Sequence, residues 1–228
     1  NEALHLPALL LALQNQSNKD FELVLVNNNS TDDTSAVMES AKSIFNKIII
    51  VDCKGNGKKQ ALKAGIRVAS GELIVTTDAD CRPHPQWLAT IGNFMHKQSS
   101  DLLIGPVNTS APIGFWDKLQ QLEFVTLVAS GAGAAGAGMP VMCNGANLAF
   151  TKKAWLESQT DLHEEQISGD DVFLLLSIKK RKGTIRFLKS EKAMVTTAVA
   201  PDLKSFVRQR MRWTSKAPAY TDFHLILT

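Results

Sequence analysis

The chain has 228 residues, 44% of them apolar, and carries a formal net charge of +3. That length and apolar share are enough to bury a full core, with one domain as the default. Its three cysteines, Cys53, Cys81 and Cys143, form neither an even disulfide set nor a paired metal-ligand spacing, which points to a reducing compartment and away from a disulfide scaffold or zinc module.

Residues Asn1 to Gln16 read as a helix with Leu6, Leu9, Leu10 and Leu13 on one side. Glu22 to Val26 is a strand. Ser30 or Thr31 then caps a helix with Asp32 and Asp33 in its first turn, where the helix dipole favours acids, and with Val37, Ala41, Ile44 and Phe45 as its apolar face. Lys47 to Val51 is a strand, Lys58 to Ala69 a helix packing through Leu62, Gly65 and Ile66, and Leu73 to Thr77 a buried strand. Pro83 and Pro85 open a helix that turns Trp87, Leu88, Ile91 and Met95 inward, and Asp101 to Val107 is a further strand. Strands alternating with helices in this way mean βαβ units and a parallel sheet.

The second half is more mixed. A helix is expected near Phe115 to Val128, a strand near Asn147 to Phe150, a helix from Asp171 to Lys180, short strands near Thr184 to Leu188 and Ala193 to Ala198, and a basic helix from about Asp202 to Ser215. Phe124 to Met142 is uncharged for the length of a membrane span, but its glycines and Pro140 read as a helix end followed by a flexible loop inside the domain. With no internal repeat and no hinge linker, the expectation is a single domain made of two halves, 1–107 and 108–201. A basic interfacial segment (202–228) would follow, ending in the apolar run Phe223 to Thr228.

From Lys179 to Lys216 there are twelve Lys or Arg and two acids, Glu191 and Asp202. This basic stretch reads either as a solvated helical face or as a patch facing diphosphate or an anionic membrane. No recognised nucleic-acid module accompanies it, so nucleic acid is not an expected partner.

Chemistry concentrates where strands end. Asp78-Ala79-Asp80 follows the apolar run Leu73 to Thr77, and the carboxyl ends of strands are where open α/β sheets place ligands. In extended chain, residues i and i+2 share a side, so the two carboxylates can converge. Such a pair suits a hard divalent cation that arrives bound to phosphates. The plain alternative is that Asp ends strands because it favours turns. Cys81 is then a neighbour of the ion rather than a ligand. Further signals are Asn27-Asn28-Asn29 after the Glu22 strand, Lys58 and Lys59 after Gly57, Gly145-Ala146-Asn147, Gly169-Asp170-Asp171, and Gln209-Arg210-Met211-Arg212-Trp213. On a helix Gln209, Arg212 and Trp213 share a face, so they can reach one site, with Trp as an apolar platform for a sugar and Arg as a fork for phosphate. The competing reading is an amphipathic helix whose Trp213 anchors at a membrane interface.

In this order and at these spacings the chain resembles the family 2 glycosyltransferases of the GT-A fold, and in particular the membrane-associated branch with the cellulose, chitin and hyaluronan synthases. The resemblance runs from Asn1 to about Trp213. It implies an α/β, Rossmann-like, mixed but mainly parallel sheet flanked by helices. Asn1-Glu2 is similar to the pair that ends the family's first strand, so that strand is expected to be missing from this chain. The resemblance further implies an inverting transfer from a nucleotide-diphosphate sugar, with UDP-sugars foremost, to a lipid or oligosaccharide acceptor on the cytoplasmic side of the cell membrane. Asp80 and Asp78 would hold Mg²⁺ or Mn²⁺, with Asp78 on the ribose or the ion. Asp171 would be the general base beside Asp170, Asn28 and Lys58 would lie at the nucleotide, and Gly145, Asn147, Gln209, Arg212 and Trp213 at the acceptor or diphosphate. The chain departs from the family in having Asn27-Asn28-Asn29 where an Asp pair is usual; an Asn28 amide still bonds to uracil, but without charge. The rival expectations are a non-catalytic member that binds nucleotide sugar or scaffolds a synthase complex, and a nucleotidyltransferase. A phosphatase is disfavoured by Cys81-Arg82-Pro83.

Overall fold

The computed structural model describes residues 1–55, 57–111, 113–159 and 169–214. Asn56, Ser168, Lys216 and the apolar run from Phe223 lie outside the described residues, as does the part of the basic segment beyond residue 214.

Helix α1 (Leu6–Gln14) opens with Pro7 in its first turn and buries Leu6, Leu9, Leu10 and Leu13. Residues before it form a turn, so the helix is shorter than the leucine spacing alone indicates. Strand β1 (Leu23–Asn27) pairs in parallel with β2 (Ile48–Asp52) across helix α2 (Thr34–Ser40). Ser30 and Thr31 do not cap α2. Its N-cap is Asp33, and the Asp32 carboxylate instead accepts from Thr34 N and Thr34 Oγ1, an Asx turn that delays the helix. Helix α3 (Lys58–Val68) returns over β1, where a Cβ on Gly65 would stand 2.9 Å from Val26 Cγ2, so glycine permits the close helix–strand approach.

Strand β3 (Leu73–Thr76) leads past Asp78 and Asp80 to the two-residue β4 (Arg82–Pro83) and helix α4 (Trp87–Lys97). The expected single strand from Asp101 is broken into β5 (Leu102–Ile104) and β6 (Val107–Thr109), because Gly105-Pro106 interrupts the ladder. Helix α5 (Phe115–Gly136) runs on through the Gly/Ala stretch, so the loop expected there is helix. Gly131 makes this possible on one side, since a Cβ there would stand 2.8 Å from Met142 Cγ. No described helix is long and apolar enough to cross a membrane.

Strand β7 (Leu148–Thr151), helices α6 (Lys152–Ser158) and α7 (Asp170–Lys180), strands β8 (Ile185–Phe187) and β9 (Val195–Thr197), and helix α8 (Leu203–Thr214) complete the order. The sheets run β1-β2, β3-β7-β5-β8 and β4-β9-β6. The pairs β1–β2, β5–β8 and β6–β9 are parallel, while β3–β7, β5–β7 and β4–β9 are antiparallel. The βαβ alternation accounts for the parallel β1–β2 pair. The antiparallel pairs join strands remote in sequence, which local periodicity cannot assign. The sheet is thus mixed, with helices packed against it through two buried clusters, one around Trp87, Leu103 and Val195, the other around Leu102, Phe150, Trp155 and Leu175.

Asn147 ties these layers together. Its fully buried side chain accepts from Trp87 Nε1 at 2.9 Å and donates to the carbonyls of Pro106 and Ala193 at 2.7 and 2.8 Å. A Cβ on Gly105 would lie 2.3 Å from its amide, so the glycine makes room for it. Asn147→Leu strands one indole N–H and two carbonyls in the core and is expected to cost about 3 kcal/mol or more. Urea denaturation measures this, and a loss below about 1 kcal/mol, the scale of an ordinary substitution, would contradict the cross-link.

Candidate active site

The carboxyl end of β3 and the N-terminus of α7 bring four predicted residues to one point. Lys58 Nζ, at the start of α3, forms an ion pair with Asp78 Oδ1. The Gly145 N–H donates to Asp171 Oδ2 at 3.0 Å. A Cβ on Gly145 would stand 3.6 Å from both Asp171 Oδ2 and Lys58 Nζ, so this glycine lies between the base candidate and the lysine. Burial draws the Lys58 ammonium down. The charge and hydrogen bond of Asp78, then the charges of Asp171 and Asp170, outweigh it and hold its pKa above the ordinary lysine value. Lys58 therefore remains a cation in an acidic crevice.

Asp170 and Asp171 occupy the first turn of α7, where the dipole favours acids. The N-cap is Gly169 at φ 103°, ψ 15°, and Asp170 is the first residue of the helix rather than its cap. The left-handed glycine turns the chain sharply into the helix, leaving Asp170 buried and Asp171 facing Gly145. Val172 N donates to Asp171 Oδ1 at 2.9 Å. With about four lone-pair positions on a carboxylate and one N–H on each oxygen, Asp171 keeps capacity to accept a proton.

Asp80 is bonded to other groups. Its Oδ2 accepts from Thr197 Oγ1 on β9 at 3.2 Å, and its Oδ1 from Cys81 Sγ at 3.6 Å. Burial, then the charges of Asp80 and Asp78, push the Cys81 thiol up to about 12, so it stays protonated and offers no thiolate to a metal. What remains is an all-oxygen pair of carboxylates, suited to Mg²⁺ or Mn²⁺ completed by phosphate oxygens and water. No cluster of three or more His, Cys, Asp or Glu that could hold a metal occurs among the described residues.

Thr197 connects this pair to a cavity lined by Thr109, Gln120, Phe124, Gln209 and Arg210 with residues Thr197 to Ala200. Thr109 Oγ1 is buried there without a hydrogen-bond partner, a polar group disposed to meet a hydroxyl. Gln209 lines this cavity. Arg212 does not: it is exposed on the outer side of α8. The arginine turned inward is Arg210, whose guanidinium holds Glu123 through Nε at 2.7 Å and through Nη2. It also donates to Gln209 Oε1 and lies 4.4 and 4.2 Å over the rings of Phe206 and Trp213. Trp213 packs on Phe124, with one face taken by that guanidinium, so it braces α8 against α5 rather than standing open as a sugar platform. Asn147, with both amide protons engaged in the core, is likewise structural and not a ligand contact.

Just past the carboxyl end of β1, Asn28 Oδ1 is buried without a partner. Its neighbour Asn27 is held by Ser35 and Asp52, and Asn29, at φ 56°, donates to Gly55 O. Thr76 and Thr197 are site residues the sequence reading missed. Thr76 Oγ1 donates to Gly145 O at 2.8 Å and so positions the peptide that touches Asp171. Only the antiparallel β3–β7 register brings Thr76 to Gly145.

A model of the family described as "Glycosyl transferase family 2" matches residues 1–157. The chain is 26% identical over 200 residues to the poly-beta-1,6-N-acetyl-D-glucosamine synthase of Staphylococcus aureus, covering 84% of this chain and 46% of that one. It is 28% identical over 117 residues to glycosyltransferase AglE of Haloferax volcanii, covering 50% and 38%. It thus spans less than half the length of these curated relatives. Among solved structures it resembles S. aureus TarS 1-349 in complex with UDP, with a TM-score of 0.67 at 19% identity over 95% of this chain and 62% of that one. It also resembles the mannosyltransferase PcManGT of Pyrobaculum calidifontis in complex with GDP-Man and Mn²⁺, with a TM-score of 0.67 at 21% identity over 97% and 62%. At these identities the structural likeness establishes the fold.

Proposed function

Since this chain belongs to glycosyl transferase family 2 and has the GT-A fold, we propose that it transfers a sugar from a nucleotide-diphosphate donor to a lipid or oligosaccharide acceptor. The observation that carries this is the convergence of Lys58, Asp78, Gly145 and Asp171 at one point, with Asp80 tied through Thr197 to a polar-lined cavity.

In this reading the Asp171 carboxylate takes the proton of the acceptor hydroxyl as its oxygen bonds to the anomeric carbon. The bond from that carbon to the diphosphate breaks, and its electron pair leaves with the nucleotide. One displacement inverts the anomeric centre, an outcome that rests on resemblance to the family. Lys58 exchanges Asp78 for diphosphate oxygens and neutralises the leaving group. A divalent cation held by Asp80 and Asp78 supplies further charge stabilisation when bound. The relatives complexed with UDP and with GDP-Man and Mn²⁺ support a sugar-nucleotide donor and a divalent metal here. The buried, partnerless Asn28 Oδ1 supports uracil, whose ring N–H would give it a donor. Gln209 is assigned to the acceptor, which in this reading lies at the cytoplasmic face of the membrane.

The test is calorimetric titration with UDP-glucose, UDP-N-acetylglucosamine, UDP-galactose and GDP-mannose, each with Mn²⁺ and with EDTA. One donor is expected to bind with Mn²⁺ and not with EDTA. Failure of every donor to bind a demonstrably folded chain would favour the scaffold reading.

A further inference from the structure

The cavity beside Asp80 is lined by one polar side chain that the fold does not use. Thr109, the last residue of β6, is 7% exposed, and its Oγ1 is buried without a hydrogen-bond partner. The other polar side chains of the lining are engaged. Gln120 is joined to Ala200 through both ends of its amide, at 3.0 Å each. Thr197 Oγ1 donates to Asp80 Oδ2, and Gln209 Oε1 accepts from Arg210, whose guanidinium holds Glu123. Valine would fill the Thr109 position in a strand equally well, since both side chains are β-branched. A buried hydroxyl without a partner costs stability, so packing gives no reason for threonine here.

The ladder fixes the side on which this hydroxyl lies. Thr109 and Thr197 are register partners in the parallel β6–β9 pair, so their side chains stand on one face of the sheet. Neighbouring strands lie about 4.8 Å apart, which places the Thr109 side chain within roughly 10 Å of the Asp80 carboxylate that Thr197 holds at 3.2 Å. The space itself is small. The cavity measures about 20 Å³, against about 10–15 Å³ needed for one water, so it takes one water or one hydroxyl group and excludes anything bulkier. Phe124 is the aromatic part of the lining, suited to the C–H edge of a ring that carries such a hydroxyl.

We propose that this cavity is a socket for a single sugar hydroxyl and that Thr109 is the specificity residue that reads it. The threonine hydroxyl both donates and accepts, so it meets a sugar O–H in either orientation. A diphosphate held at Asp78 and Asp80 brings the sugars on either side of the reacting bond close to the socket, so the seated hydroxyl belongs to the donor sugar or to the acceptor sugar. The chemistry is the same in both cases. The socket favours a hydroxyl at the seated carbon over a hydrogen, which leaves Thr109 unpaired, and over an acetamido group, which does not fit. This deepens the transferase reading and rests on it for the identity of the ligand, whereas the position and size of the socket rest on the fold.

The experiment compares the 228-residue chain with its Thr109→Val and Thr109→Ser variants. Thr109→Val is expected to keep or raise the thermal midpoint, because it removes an unpaired polar group. In calorimetry with Mn²⁺, UDP and GDP alone are expected to bind parent and Thr109→Val alike. One arm then titrates UDP-glucose, UDP-galactose, UDP-N-acetylglucosamine and GDP-mannose. The other titrates methyl β-glucoside, cellobiose and N-acetylglucosamine onto the chain with UDP and Mn²⁺ present. In one of the two arms Thr109→Val is expected to weaken the sugar that the parent binds most tightly by roughly three- to tenfold, with Thr109→Ser restoring it. The arm that responds identifies whose hydroxyl is seated. A lowered midpoint in Thr109→Val, or an equal loss of affinity for the nucleotide alone, would mean that the hydroxyl serves the fold. Equal sugar affinities of parent and Thr109→Val in both arms, or a parent that binds no sugar in either, would mean that the socket takes none. Each of these overturns the socket and leaves nucleotide binding standing. A folded parent that binds no nucleotide sinks the transferase reading instead, and the free sugars titrated alone then decide the socket by the same comparison.

Discussion

Asp171→Asn is expected to lower turnover by roughly 10²–10⁴ while leaving donor affinity nearly unchanged, the signature of a lost general base. The structure makes the variant informative. Asp171 accepts Gly145 N on one oxygen and Val172 N on the other. Asparagine offers a single acceptor oxygen, so one of these N–H groups loses its partner, at about 1–2 kcal/mol of stability. Thermal melting reads that loss separately from catalysis. If turnover instead falls only in proportion to the folded fraction, Asp171 is a turn-forming residue and not the base. Because the proton-accepting group is placed by the backbone of Gly145, and Gly145 by Thr76, Thr76→Val would shift the same geometry without touching any acid.

Asp80→Asn is expected to weaken Mn²⁺-dependent donor binding roughly 100-fold or more, since loss of even the groups that orient metal ligands costs 10–100-fold. The amide retains an oxygen that can accept from Thr197, so the fold should survive, and what is removed is the charge. Calorimetry with Mn²⁺ should show the variant behaving as the parent does in EDTA. Identical donor affinity in the variant and the parent, with Mn²⁺ present, would mean that the carboxylate pair holds no cation. Lys58–Asp78 would then be the principal charge arrangement of the crevice.

Asp78, Asp80, Lys58 and Asp171 could be named as candidates before the fold was known. Each follows from a local rule: an apolar run ending in i, i+2 acids, a glycine before a helix that begins with lysine, and an acidic pair opening an amphipathic helix. Other readings failed where local rules are silent. The Gly/Ala stretch of α5 is helical because Met142 packs against Gly131, a contact no propensity scale contains. Arg212 matches a motif spacing, yet the inward arginine is Arg210, chosen by Glu123 on another helix.

What the sequence by itself determined is where the acids, the cation and the strand ends occur, because side-chain periodicity and turn chemistry act within a few residues. Only the tertiary structure decided which polar groups remain available to a ligand. Asn147 has both amide protons engaged in the core, whereas Asn28 Oδ1 and Thr109 Oγ1 have no partner. The physical reason is that a buried polar atom is satisfied by whichever distant carbonyl or indole the packed layers bring to it, and that pairing is a property of the three-dimensional contact, not of the local chain.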